Sequence, residues 1–148
     1  MRKYKFRGKR LDNGEWVYGS LAETHGKLFI GIPTAPDNPV YMMDWHEVNP
    51  ATLGQIAGQL DKTDIYEGDI LIEPTVATIP LEVRYNEEQC AFCLIEHTHT
   101  EGPLLGTCPL GDMLRHYPFM KVAGNIHDNP EILSKWVQEN RNKPKDKS

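Results

Sequence analysis

Helix breakers punctuate this chain from end to end. Eleven prolines and twelve glycines in 148 residues are more than long helices tolerate, so the sequence predicts many short elements joined by turns. The most turn-rich segments are Asp61 to Leu71 and, far downstream, Gly124 to Glu131. Both read as places where the chain bends and restarts, and neither contains recognisable catalytic machinery.

A chain of this length buries roughly 68–70% of its unfolded surface and needs neither disulfides nor metal to fold. Its mean hydropathy of −0.53 predicts a modest core under a polar surface. No apolar run approaches the ~18 residues of a membrane span. Met1-Arg2-Lys3 is basic, but no hydrophobic stretch follows as a secretory signal requires. The expectation is a cytoplasmic protein with no membrane association. Three cysteines, an odd number, fit a reducing compartment better than a secreted disulfide framework.

Charge is concentrated at the ends. Arg2, Lys3, Lys5, Arg7, Lys9 and Arg10 give the first ten residues +6, and residues 141–148 carry +3. Since the whole chain is at −5, residues 11–140 carry −14. Such a body repels phosphate, and only the two ends attract it.

Period-two alternation marks the strands. Lys3 to Gly8 alternates basic and apolar, Asp12-Asn13-Gly14 supplies a tight turn, and Glu15 to Gly19 returns as a hairpin. Lys27 to Ile32 is a third strand, ended by Pro33, with a proline-rich loop at 33–39. Val40 to Met43 and Trp45 to Val48 are short extended segments. Gly54 and Gly58 weaken a helix by ~1 kcal/mol each, so residues 51–60 read as extended or irregular. Strands follow at Ile70 to Ile72 and, as a second hairpin, at Leu81 to Tyr85 and Ala91 to Ile95. One helical turn at Asp112 to Tyr117 and a last strand at Met120 to Ala123 lead to Asn129-Pro130, an N-cap with proline at the first helical position. Ile132, Leu133, Trp136 and Val137 fall on one face of that final helix. The lysine-rich residues 141–148 have nothing to bury and read as disordered.

In order, Lys5-Phe6-Arg7, Thr52-Leu53-Gly54-Gln55, Gly58, Asp61-Lys62, Ile65-Tyr66-Glu67-Gly68-Asp69-Ile70, Gly124-Asn125-Ile126 and Asn129-Pro130-Glu131 form a pattern that resembles the YopX family over roughly residues 2–133. The resemblance implies a bacterial phage or prophage protein of unestablished biochemical role. For the fold it implies a mainly β protein of short antiparallel strands with an SH3-like barrel component and a short C-terminal helix. The corresponding division is an N-terminal β-rich part at 1–60, an SH3-like part at 61–133 sharing its core, and a helix end and basic tail at 134–148. The family commonly has an Asn-Gly turn between Asp-Lys and Ile-Tyr-Glu-Gly-Asp; here Asp61-Lys62-Thr63-Asp64-Ile65 is shorter, so the turn must be tighter.

Candidate chemistry weakens on inspection. Asp61, Asp64, Glu67 and Asp69 cluster acid, but an EF-hand count from Asp61 puts Ile65 and Tyr66 at required ligand and glycine positions. Cys90-x-x-Cys93 with His97, His99 and Cys108 suggests zinc, yet the two cysteines sit in or beside a strand and point to opposite faces. Cys93 reads as a buried small hydrophobe. Ser20, Ser134 and Ser148 lie in no nucleophile elbow, and no phosphate-binding glycine loop occurs. The expectation is therefore no enzyme, no cofactor and no metal site. The leading function is binding, to a protein partner or to a second copy. The alternative is nucleic-acid contact through Lys3, Lys5, Arg7, Lys9 and Arg10 and the basic tail, although Tyr4 and Phe6 alternate away from those cations and should pack inward.

Overall fold

The computed structural model describes residues 2–35, 37, 42–75, 77–97 and 108–140. Among the described residues there are eleven strands: β1 (Phe6–Lys9), β2 (Trp16–Thr24), β3 (Lys27–Pro33), β4 (Met43–Val48), β5 (Gly54–Leu60), β6 (Thr63–Tyr66), β7 (Asp69–Glu73), β8 (Ala77–Asn86), β9 (Ala91–Glu96), β10 (Cys108–Pro109) and β11 (Lys121–Asn125). The described residues also include two α-helices, α1 (Leu110–His116) and α2 (Pro130–Asn140), and a 3-10 turn at Pro50–Thr52. The strands form two sheets, of order β4-β3-β2-β1-β5-β6 and β10-β9-β8-β7-β11. The chain divides into two compact units, Met1–Ile56 and Ala57–Ser148.

The mainly β character and the C-terminal helix match the expectation, but the SH3-like barrel does not. Both sheets are open. A barrel needs a continuous ladder between its first and last strands, and each sheet ends instead in two separate margins. In the first unit a lone bridge joins Arg10 to Val48. It goes no further, because the chain turns away at Leu11–Asn13 immediately after β1.

In the first unit β1 and β2 pair with Phe6 opposite Gly19 and Lys9 opposite Trp16, as the Asp12-Asn13-Gly14 turn anticipates. Gly14 has φ +71. The core is Val17, Ile30 and Val48, with Phe6, Leu28 and Leu53 against it. Phe6 thus packs inward as expected, whereas Tyr4 is exposed, with the Arg2 guanidinium 5.5 Å from its ring. Pro33 ends β3 opposite Met43.

In the second unit Ile65, Leu71, Val83, Leu94, Leu110 and Met120 form the core, and Met113, Leu114 and Tyr117 bring α1 against it. The hairpin β8–β9 holds Val83 opposite Leu94 and Tyr85 opposite Phe92. Pro80 lies in the only irregular stretch of the β7–β8 ladder, between the Leu71–Leu81 and Glu73–Ala77 pairs, where a missing N–H is tolerated. Strand β6 falls where the sequence suggested only a turn. Asp61 and Lys62, at φ +46 and +67, make the two-residue turn that precedes it, a conformation in which Asp is among the better-tolerated non-glycine residues. On α2, Ile132, Leu133, Trp136 and Val137 are half-buried while Glu131, Ser134, Lys135, Gln138 and Glu139 are exposed. The basic tail at 141–148 lies outside the described residues.

Gly19 marks the tightest approach of backbones in the first unit: a Cβ there would collide with the Gly31 carbonyl oxygen. Gly19→Ala is expected to cost about 3 kcal/mol in urea unfolding. Gly58→Ala, whose Cβ would meet Leu110 Cδ2 at an ordinary 3.6 Å, should stay within about 1 kcal/mol of the wild type.

Candidate functional site

Several exposed apolar side chains of the first unit lie on or beside β4, at the margin of its sheet. Trp45 and Ile32 are 47% and 38% exposed, and Met42 is more so. The Trp45 indole and the Met43 thioether lie over Gly31: a Cβ on Gly31 would stand 2.7 Å from Trp45 Cζ3 and 2.8 Å from Met43 Cε. The absence of a side chain at Gly31 is what seats the indole there.

The hydrogen-bonding direction of β4 follows from its neighbours. The Leu11 N–H donates to the Glu47 carbonyl at 3.0 Å, on the side away from β3. Direction alternates along an antiparallel strand. Met43 and Trp45 therefore turn their N–H and C=O outward with Glu47, while Met42, Asp44, His46 and Val48 face β3. Two details agree. The Thr34 N–H donates to the Met42 carbonyl at 3.0 Å, and Pro33, which has no N–H, stands opposite outward-facing Met43. The Glu47 carbonyl accepts from the Leu11 N–H, and the Asn49 N–H donates to the Lys9 carbonyl. Among the described residues no hydrogen bond reaches those of Met43 and Trp45.

The basic N-terminal residues are brought together with aromatics that the sequence hid. Register puts Arg7 opposite Tyr18 and Lys9 opposite Trp16, on one face of the hairpin. Lys5 Nζ lies 5.8 Å from the Tyr18 ring centre, Arg7 Cζ 4.7 Å from that of Trp16, and Lys9 Nζ 5.3 Å from the same ring. Arg7 is only 5% exposed, so its guanidinium is a packed group. Lys3 is exposed. Arg10 chelates Asp12, with Nε 2.9 Å from Oδ1 and Nη2 2.5 Å from Oδ2. That hydrogen bond raises the Arg10 pKa and lowers that of Asp12. The aromatic partners come from the return strand, and only the hairpin register reveals them.

In the second unit the acidic turn block is structural. Asp69 is buried, and its carboxylate accepts the Tyr66 N–H at 2.8 Å. Gly68, at φ +88, donates to the Val83 carbonyl and accepts from the Ile126 N–H, both at 2.8 Å. Among the described residues no His, Cys, Asp and Glu cluster suited to a metal occurs. Cys93 is fully buried, and burial pushes its thiol pKa up, with Cys108 nearby adding to the shift; it is not a thiolate nucleophile. His99 lies outside the described residues. His97 instead meets Glu82, a buried carboxylate that sequence reasoning missed. Glu82 Oε2 is 2.6 Å from Arg84 Nη2 and 3.5 Å from His97 Nε2. Alternation along β8 and the Glu82–Ile95 register would have placed these three together.

The model of the YopX protein family matches residues 5–134, most of the chain. The chain belongs to the YopX family. It is a phage- or prophage-type protein, and the family brings no established activity to transfer. Its signature block around Gly68 is the turn just described. No curated protein matches the chain. Among the described residues no helix is long and apolar enough to cross a membrane.

Burial pushes the Glu82 pKa up, but His97 and Arg84 beside it outweigh that and leave it below the ordinary 4.5. A carboxyl lowered on folding adds stability above its unfolded pKa, and that stability is lost as pH falls through the folded value. Glu82→Gln should therefore be about 1–3 kcal/mol less stable at neutral pH. The difference should shrink in acid, as measured by urea unfolding across a pH series.

Proposed function

We propose that this YopX-family chain is a non-catalytic binding protein that engages a protein partner through the β4 margin. The observation that carries the reading is the free stretch at Met43 and Trp45, where outward main-chain groups adjoin the half-exposed Trp45 indole. An unpaired strand edge is a template for another chain. An aromatic beside it supplies the anchor that dominates many protein interfaces. Among the described residues of the second unit, Asp69 shapes a turn, Glu82 pairs with Arg84 and His97, and Cys93 is buried.

The test is affinity capture of the natively expressed protein from phage-infected or lysogenic cells after nuclease treatment. Wild type and Trp45→Ala are compared side by side. The half-exposed indole can be removed without opening the core, so the variant should keep its unfolding midpoint. A specific partner should be recovered with the wild type and reduced about tenfold or more with Trp45→Ala. Equal recovery by the two proteins refutes the reading.

A second reading has one observation behind it: Trp16 and Tyr18 share a face with Lys5, Arg7 and Lys9. Cations interleaved with aromatic rings are the ingredients of a single-strand nucleic-acid platform. It predicts salt-sensitive, sequence-tolerant binding of a fluorescent single-stranded oligonucleotide. Combined Lys3→Ala, Lys5→Ala and Lys9→Ala should then weaken binding about tenfold or more and flatten the salt dependence. Unchanged affinity in that variant removes this reading.

A further inference from the structure

We propose that the β4 margin takes an extended, cationic peptide segment of its partner, added as a short strand with a Lys or Arg side chain opposite Asp44. The inference rests on the binding reading above and specifies the chemistry of the occupant. The free ladder is short. The Glu47 carbonyl is bonded to Leu11, and Val48 is bridged to Arg10, so among the described residues Met43 and Trp45 are the positions of β4 whose outward N–H and C=O are both open to an incoming main chain. A short ladder cannot select a sequence by itself, which leaves selection to the side chains facing the incoming strand.

Those side chains divide by the pleat. Met43 and Trp45 stand on the face that carries Gly31, and Asp44 stands on the other, opposite Ile32. Asp44 is exposed, and among the described residues it has no ion-pair partner. Lys27, at the far end of β3 from Ile32, pairs with Glu47 at 4.0 Å on the opposite face. An incoming strand therefore meets an unneutralised carboxylate in its central position and apolar surface on either side.

A second copy of the chain fits less well. Antiparallel self-pairing centred on Asp44 sets two carboxylates directly opposite each other, a destabilising arrangement. Centring on Trp45 instead brings Met43 against Glu47, whose carbonyl is already bonded to Leu11. Acid at a sheet margin thus blocks pairing between like edges while suiting a basic strand.

The test uses the full chain and three fluorescent acetylated peptides that alternate threonine and valine. One has a central lysine, one a central glutamate, and one the central lysine with N-methylated amides at its neighbours. Anisotropy titration at low salt should show the lysine peptide binding about threefold to tenfold tighter than the glutamate peptide. The N-methylated peptide should lose binding, because main-chain pairing is blocked. Asp44→Lys, an exposed substitution, should reverse the order of the first two, and Asp44→Asn should bring them close together. Equal affinities for lysine and glutamate peptides, or undiminished binding of the N-methylated one, would overturn the proposal. So would a concentration-dependent dimer dissolved by Trp45→Ala, which would assign the margin to a second copy. Trp45-dependent capture from cells without peptide selectivity leaves the binding reading standing and sinks this one. Selective peptide binding without any captured partner does the reverse.

Discussion

A single residue, Gly68, joins three segments of the second unit. Its N–H reaches the Val83 carbonyl on β8 and its C=O takes the Ile126 N–H after β11. Only a residue at ease with φ +88 can present both groups in those directions without strain. Around it the remaining turn chemistry closes: Asp69 holds the Tyr66 amide, and the Asn125 side chain accepts the N–H groups of His127 and Asp128. Gly124 leaves room for the Asn129 carboxamide, which a Cβ would displace. The two stretches richest in family pattern therefore meet, and their common purpose is to hold strands in register. Asp69, one of the acids that resemble a cation site on paper, is used here to satisfy a backbone amide.

The first unit solves a different problem, that of carrying many cations on one short strand. Arg7 is nearly buried, and removing a guanidinium from water is costly unless other groups compensate. The Trp16 face at 4.7 Å supplies part of that compensation, and desolvated cation–π contacts reach about 2 kcal/mol. Tyr18 and the same Trp16 stack with Lys5 and Lys9 in turn. The aliphatic stems of such side chains cover apolar surface while their heads keep their charge. Charge density at the N-terminus is thus also packing.

Much of the architecture could be read before any coordinates. The Asp12-Asn13-Gly14 and Asn86 to Gln89 turns, flanked by period-two runs, announce both main hairpins, and Pro130 begins α2 where the pattern places it. Strand β6 escaped because Asp61 and Lys62 adopt positive φ without glycine, so an acid-rich hairpin looked like a loop. The expected barrel failed for a non-local reason: closure depends on whether the first and last strands meet, and local pattern carries no information about that. The same limit hid the functional candidates. Which aromatics face Lys5 and Arg7, which way the Trp45 amide points, and that Glu82 lies beside His97 all follow from register between strands. Residue identities were visible; their neighbours across the sheet were not.

The Gly68–Ile126 bond also has a temporal meaning. A chain emerging from the ribosome presents residues 1–56 and all of β1 to β4 long before Ile126 is synthesised. Until then the Gly68 carbonyl has only water as a partner, β11 cannot pair with β7, and Ile70 and Leu71 lack one flank of their sheet. Contacts between distant segments are slow to form, and the sheet edge stays open in the meantime. Vectorial synthesis therefore finishes the first unit early and leaves the second as the aggregation-sensitive intermediate, sealed only when the last turn arrives.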